Sequence, residues 1–228
     1  MSRVSVIIPA LNEAEHITAS ITSAREGKPH EVIVVDGGST DETVQLARET
    51  GVMVIHSAPG RARQMNAGAA RATGNVLLFL HADTLLPRDF MGVVSEPLRE
   101  REVIAGAFRF KTDGKFFGKW ILERAVNLRS NWRQMPYGDQ ALFLKRCVFE
   151  ELGSFADLPI MEDYELVCRL RQHGRVVTVR QEVVTSGRRW QHLGLFRTSL
   201  LNWRLIFSYQ RGQSPEILAE SHRRALQR

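Results

Sequence analysis

Four short apolar, β-rich runs divide the first 83 residues: Val4–Ile8, Glu31–Val35, Val52–Ile55 and Val76–Leu80. Runs this apolar read as strands buried on both faces, the pattern of a parallel sheet. The stretches between them read as helices. Asn12 with Glu15, and Ser39 with Glu42, each fit a capping box at a helix start. Strands alternating with helices at this spacing predict βαβ units, with right-handed crossovers. The expected fold class is α/β.

The pattern loosens after Asp83. Pro87 fits the start of a helix reaching about Arg101, and Lys115–Trp132 and Asp163–His173 also read as helices, the last ended by Gly174. Val103–Phe110, Gln140–Lys145, Val176–Val179 and Glu182–Thr185 read as strands. From Gly194 onward the chain is helical and basic, with breaks near Gly212 and Pro215. At 228 residues and 43% hydrophobic content, burial is ample without staples.

Two cysteines, Cys147 and Cys168, have no metal-like spacing and fit a reducing, cytoplasmic setting. The first strand begins almost at once, so no signal peptide is expected. No apolar segment reaches the ~18–20 residues a membrane span needs. The nearest, Leu193 to Tyr209, is interrupted by Arg197 and Arg204. A net charge of +6 fits polyanionic partners, and a solvated basic surface explains it equally well.

Several carboxylates stand where an open α/β sheet binds ligands. Asp83 ends the run from Val76, and an unpaired acid there is costly, so a divalent cation is a natural partner. Asp36 ends the second run before two glycines and has no capping explanation. Asn12 and Glu13 open the loop after the first run, although a helix cap explains Asn12 as well. Arg61 and Asn66 lie on a helix start after Gly60, where cations oppose the helix dipole unless an anion is bound. Glu162 and Asp163 are paired acids that could supply a general base or merely a cap. Arg188 and Arg189, beside Trp190, could clamp phosphate.

Together the segments IIPALNE, VVDGGSTDET, GRARQMNAGA, LHAD and MEDYEL resemble an inverting family 2 glycosyltransferase. That family has the GT-A fold, a Rossmann-like, mostly parallel sheet flanked by helices, here with a C-terminal acceptor-side extension. GDQALF at 138–143, with the later RRW, is similar to a small soluble bacterial subgroup, the radical-SAM/selenodomain-associated transferases linked to arsenosugar biosynthesis.

The resemblance implies one GT-A domain over 1–228: a nucleotide-sugar half (1–100), an acceptor and catalytic half (101–192) and a helical basic tail (193–228). It maps the nucleotide sugar onto Pro9, Asn12, Glu13, Asp36, Ser39, Arg61, Gln64, Asn66, His81, Ala82, Arg188, Arg189 and Trp190. It gives Asp83 a Mn²⁺ or Mg²⁺ ion and Asp163 the role of base, with Glu162 second. The family's usual Asp-x-Asp has His81 in its first place here. Ser186 stands where processive members carry Gln, so a single addition to a hydroxyl-bearing acceptor is expected.

Two rival classes are a sugar-phosphate nucleotidyltransferase and a nucleotide-sugar-binding module without transfer. The first should show a Gly-rich phosphate loop, and Ala10-Leu11-Asn12-Glu13 lacks one. No nucleic-acid-binding motif is present. The apolar and basic residues between Leu195 and Arg211 fit a helix docked on the core or on a second subunit, or one lying peripherally on a membrane.

Overall fold

The computed structural model describes residues 2–226. In chain order the elements are β1 (Val4–Ala10), α1 (Ile17–Glu26), β2 (Glu31–Asp36), α2 (Thr43–Glu49), β3 (Met53–His56), α3 (Arg61–Arg71), β4 (Val76–Phe79), β5 (Thr84–Leu85) and α4 (Phe90–Ser95). They continue with β6 (Val103–Thr112), α5 (Lys119–Arg133), β7 (Phe143–Lys145), α6 (Arg146–Glu151), α7 (Glu162–His173), β8 (Arg175–Thr185), α8 (Arg188–Leu193), α9 (Leu195–Gln210) and α10 (Pro215–Leu226).

One sheet carries all eight strands in the order β3-β2-β1-β4-β7-β6-β8-β5. The first four are parallel, as the apolar runs predict. β7 is antiparallel to both β4 and β6, and joins the two halves of the sheet. Alternate residues serve two cores. Val6, Ile8, Val34 and Leu78 cluster with Ile17, Ile21 and Phe90 on one face. Ile7, Ile33, Val35, Leu77 and Phe79 cluster with Met65, Ala69 and Leu166 on the other.

The structure corrects several expectations. Neither capping box forms. Asn12 adopts a left-handed backbone (φ 53), and α1 begins later, with His16 at its cap. Glu42 caps α2 by position, and the Ser39 side chain is used elsewhere. The helix from Pro87 is shorter: α4 ends at Ser95, and Pro97, which cannot continue the helical bonding, opens a separate 3-10 turn. Residues 138–140 also form a 3-10 turn, so β7 starts only at Phe143. Val176–Val179 and Glu182–Thr185 are one strand, β8, whose pairing with β6 shifts register between Ala107 and Arg109. α7 begins at Glu162, and Met161, not Asp163, holds its cap position.

The tail docks on the core. Leu205, Ile206 and Tyr209 of α9 pack against the second cluster. Gln210 donates a 2.6 Å hydrogen bond to the Tyr164 hydroxyl. The opposite side of α9 leaves Phe196, Leu200, Trp203 and Phe207 exposed. Among the described residues no helix is long and apolar enough to cross a membrane.

Candidate active site

With β1 flanked by β2 on one side and β4 on the other, the order of strands reverses beside β1. The space beyond the ends of β1 and β4 is then the crevice where open α/β sheets hold ligands. Glu13 follows β1 and Asp83 follows β4. The short ladder of β5 with β8 brings a third segment there. The Thr84 hydroxyl donates to that of Thr185 at 2.9 Å, and the Ser186 amide donates to the Asp83 carbonyl at 3.0 Å. Arg188 therefore emerges beside Asp83. Its guanidinium donates to Glu13 Oε1 at 2.6 Å and to Asp83 Oδ2 at 3.4 Å. Glu13 Oε2 is buried without a partner.

The loops after β1 and β2 are stitched together. The Asn12 amide donates to Ser39 Oγ at 2.9 Å, and Asn12 Oδ1 accepts from the Thr40 amide at 2.9 Å. Asp36, 2% exposed, accepts from the amides of Gly38 (2.9 Å) and Ser39 (3.1 Å), and His56 Nδ1 lies 3.2 Å away. Burial opposes its charge, but these bonds outweigh it and hold the pKa below the usual carboxylate range. Asp36 thus has the local partners that its sequence context did not reveal. Pro9 and Ala82 are buried beside the crevice.

Two residues expected at the nucleotide are occupied by the scaffold. Gln64 is buried, and its Nε2 donates to the carbonyls of Ala10 and Val35, both at 2.8 Å. It thereby satisfies acceptors at the ends of two strands. Asn66 clamps the backbone of Phe155 through both its amide atoms. Neither lines the main cleft of the site, and nor do Pro9, Asn12, Glu13, Asp36, Ser39 and Ala82, which lie outside its lining.

The cleft itself has a volume of about 460 Å³, and Arg61, His81, Asp83, Asp139 and Asp163 are among the residues that line it. Glu162 is 1% exposed and its Oε1 accepts from Arg61 Nε at 2.5 Å. That pair points the carboxylate of Glu162 away from a proton-transfer role. Burial works against the Arg61 charge, but Glu162 and Asp163 raise its pKa above the ordinary value. Asp163 lines the open cleft. Its Oδ2 accepts from the Gly138 amide and its Oδ1 from the Tyr164 amide, each at 2.7 Å. A Cβ on Gly138 would lie 2.8 Å from His81 Nε2 and 3.1 Å from Asp163 Oδ2, so glycine is what lets this turn approach both. Burial, helped by Arg61 and opposed by Asp83 and Asp163, lowers the His81 pKa to about 4, which keeps the ring neutral.

The sequence reasoning missed three cleft residues. Asp139 has a buried, unpartnered Oδ1, and burial raises its pKa to about 6 against the pull of Arg129. Its only signal was the GDQ string itself. Asn202 and His222 come from α9 and α10 and meet Arg189. The Arg189 guanidinium donates to Asn202 Oδ1 at 3.2 Å and to His222 Nε2 at 2.8 Å. Nothing in the local sequence pairs Arg189 with positions 13 and 33 residues further on. Trp190 also lines the cleft, half-buried.

Among the described residues no three His, Cys, Asp or Glu side chains converge as an all-protein metal cage. Asp83, with neutral His81 nearby and Glu13 across Arg188, forms a sparser set. A hard cation that takes one or two protein carboxylates and completes its shell with phosphate oxygens and water fits those donors.

Residues 5–153 match the model of glycosyl transferase family 2. A PGL/p-HBAD biosynthesis glycosyltransferase of Mycobacterium tuberculosis is 30% identical over 197 residues, 80% of this chain and 75% of that protein. An undecaprenyl-phosphate 4-deoxy-4-formamido-L-arabinose transferase of Pectobacterium carotovorum is 28% identical over 60% of this chain and 47% of that one. Among solved structures, a Pyrobaculum calidifontis mannosyltransferase in complex with GDP-Man and Mn²⁺ superposes with a TM-score of 0.67 at 22% identity, covering 99% of this chain and 70% of that one. Glucosyl-3-phosphoglycerate synthase from Mycobacterium tuberculosis gives 0.62 at 22% identity, over 85% and 75%. These likenesses establish the GT-A architecture, and with the matched family model they show that the chain belongs to glycosyl transferase family 2.

Proposed function

We propose that this glycosyltransferase moves one sugar from a nucleotide-diphosphate sugar to an acceptor hydroxyl, with inversion at the anomeric carbon. The observation that carries the reading is the division of labour between two adjacent acids. Glu162 is locked on Arg61, while Asp163 is oriented by two backbone amides and presented in the same cleft as Asp83. Asp163 takes the proton of the acceptor hydroxyl as that oxygen attacks the anomeric carbon from the face opposite the leaving group. Pro9, Asn12, Glu13, Asp36 and Ser39 border the nucleoside, and Arg61, His81 and Arg188 border the diphosphate. A divalent cation, Mn²⁺ or Mg²⁺, held at Asp83 would supply Lewis-acid neutralisation of the leaving diphosphate. The solved mannosyltransferase and glucosyl-3-phosphoglycerate synthase, both with Mn²⁺ in their complexes, support that choice of ion. The arsenosugar-type subgroup and a cytoplasmic setting belong to the same reading.

The test is a thermal-shift screen of nucleoside diphosphates with Mn²⁺ and with chelator. One nucleotide should stabilise the protein, by about 2.7 kcal/mol at a hundredfold excess over its Kd. Its affinity should fall in chelator. Stabilisation by none would overturn the transfer reading, and equal affinity in chelator would remove Asp83 from the metal role.

The outer face of α9 fits one partner of its own. Phe196, Leu200, Trp203 and Phe207 are interleaved with Arg197 and Arg204, and the helix carries no acid. An isologous dimer through this face would set arginine against arginine. An anionic membrane surface matches both the charge and the aromatic residues. Co-sedimentation with vesicles rich in phosphatidylglycerol is expected at low salt and should be lost in Trp203→Glu. A dimer in sedimentation velocity, without vesicle binding, would assign the face to a second copy.

A further inference from the structure

Arg188 and Arg189 are neighbours in the first turn of α8 and line the same cleft, yet they have different partners. Arg188 is matched by Glu13 and Asp83, and Arg61 is matched by Glu162. Arg189 has no such match: among the described residues no carboxylate lies within ion-pair distance of it, and burial and the nearby Arg61 oppose its charge more than Asp139 supports it. Its contacts are the neutral groups of Asn202 and His222. Its Nε is buried with no hydrogen-bond partner. A half-buried guanidinium without a counter-ion is costly, and such a site is completed by an anion.

The neighbours are arranged as donors. Burial, aided by Arg189, lowers the His222 pKa to about 4, so the ring is neutral. Its Nε2 accepts from Arg189, which leaves the proton on Nδ1. Asn202 Oδ1 likewise accepts from Arg189, which leaves its NH₂ free to donate. Three side chains from three helices thus offer N–H groups to the same cleft that Asp163 lines. All three lie beyond the segment matched by the family model, residues 5–153.

We infer that Arg189, Asn202 and His222 form a subsite for a phosphoryl group carried by the acceptor, in the same cleft as the donor diphosphate. Naming the ligand an acceptor rests on the transfer reading above; the anion site itself does not. Arginine binds phosphate through two parallel bonds, and the imidazole and amide supply further donors.

The test saturates the protein with Mn²⁺ and the best nucleoside diphosphate, and titrates sn-glycerol 3-phosphate and dodecyl phosphate by calorimetry. At least one should bind. Arg189→Gln should weaken it by ~10-fold or more, the loss of a charge-assisted pair. Asn202→Asp, which supplies the missing carboxylate in place of the ligand, should abolish it. Nucleoside diphosphate affinity should stay within about twofold in both variants, which takes Arg189 out of the nucleotide-sugar set that the family resemblance implies. Preference for dodecyl phosphate places the phosphoryl group on an amphiphile, and preference for glycerol phosphate places it on a soluble molecule. Phosphate binding unchanged by Arg189→Gln overturns the subsite. So does a large loss of nucleoside diphosphate affinity in that variant, which would move Arg189 to the donor. If no nucleoside diphosphate binds, the transfer reading fails, and the phosphate titration without nucleotide still judges the subsite.

Discussion

Asp163→Asn is expected to lower sugar transfer by ~10²–10⁴-fold, the usual contribution of a positioned general base, while nucleoside diphosphate binding stays intact. The carboxylate has two backbone N–H partners, Gly138 and Tyr164. An asparagine can accept from only one oxygen, and its NH₂ would then face a donor. The variant therefore also loses a hydrogen bond, worth about 1 kcal/mol in stability. That loss is too small to explain a hundredfold drop in rate by unfolding. Comparing transfer rate with nucleotide affinity in one preparation separates the two effects. Transfer within tenfold of the parent protein would strip Asp163 of the role and leave it a structural tie between α7 and the 138–140 turn.

The sheet was readable because burial on both faces leaves a simple trace. A strand such as Val4–Ala10 is entirely buried, and apolar runs say so without reference to any partner. The helix starts were not readable in the same way. Asn12 and Ser39 have the residue types of caps, but their side chains join two loops to each other across some 27 positions of sequence. A capping box is a local pattern, and a nonlocal hydrogen bond of similar strength competes with it directly.

The same competition divides the site. Asp83 and Asp163 both line the cleft; the sequence marks the first as an acid at the end of a buried strand and the second as one of two adjacent acids. Gln64 has the right chemistry for a nucleotide contact, yet two strand-end carbonyls claim it. Asp36 looked free of local duties and instead organises its own loop. Asp139 and His222 were invisible for the opposite reason. Their surroundings are built by elements far away in sequence, so their perturbed ionisation exists only in the folded chain.

Arg61→Met should be the most destabilising single change at the site, by ~3–5 kcal/mol, because it strands a buried charge. Glu162 is 1% exposed and Arg61 is its only hydrogen-bond partner among the described residues, whereas the Arg61 side chain is 44% exposed toward the cleft. The pair is therefore asymmetric. Removing the arginine leaves a carboxylate with no water, but removing the acid leaves a guanidinium that the cleft can still solvate. Glu162→Gln should accordingly cost less than Arg61→Met. Arg61→Met combined with Glu162→Leu should recover part of the loss, since an apolar pair replaces an ion pair without an unmatched charge. Urea denaturation of the three variants checks the order. Equal costs for the two single changes, or a double variant no more stable than Arg61→Met alone, would mean that Glu162 is not held by Arg61. The separation of Glu162 from Asp163, on which the choice of base depends, would then be lost as well.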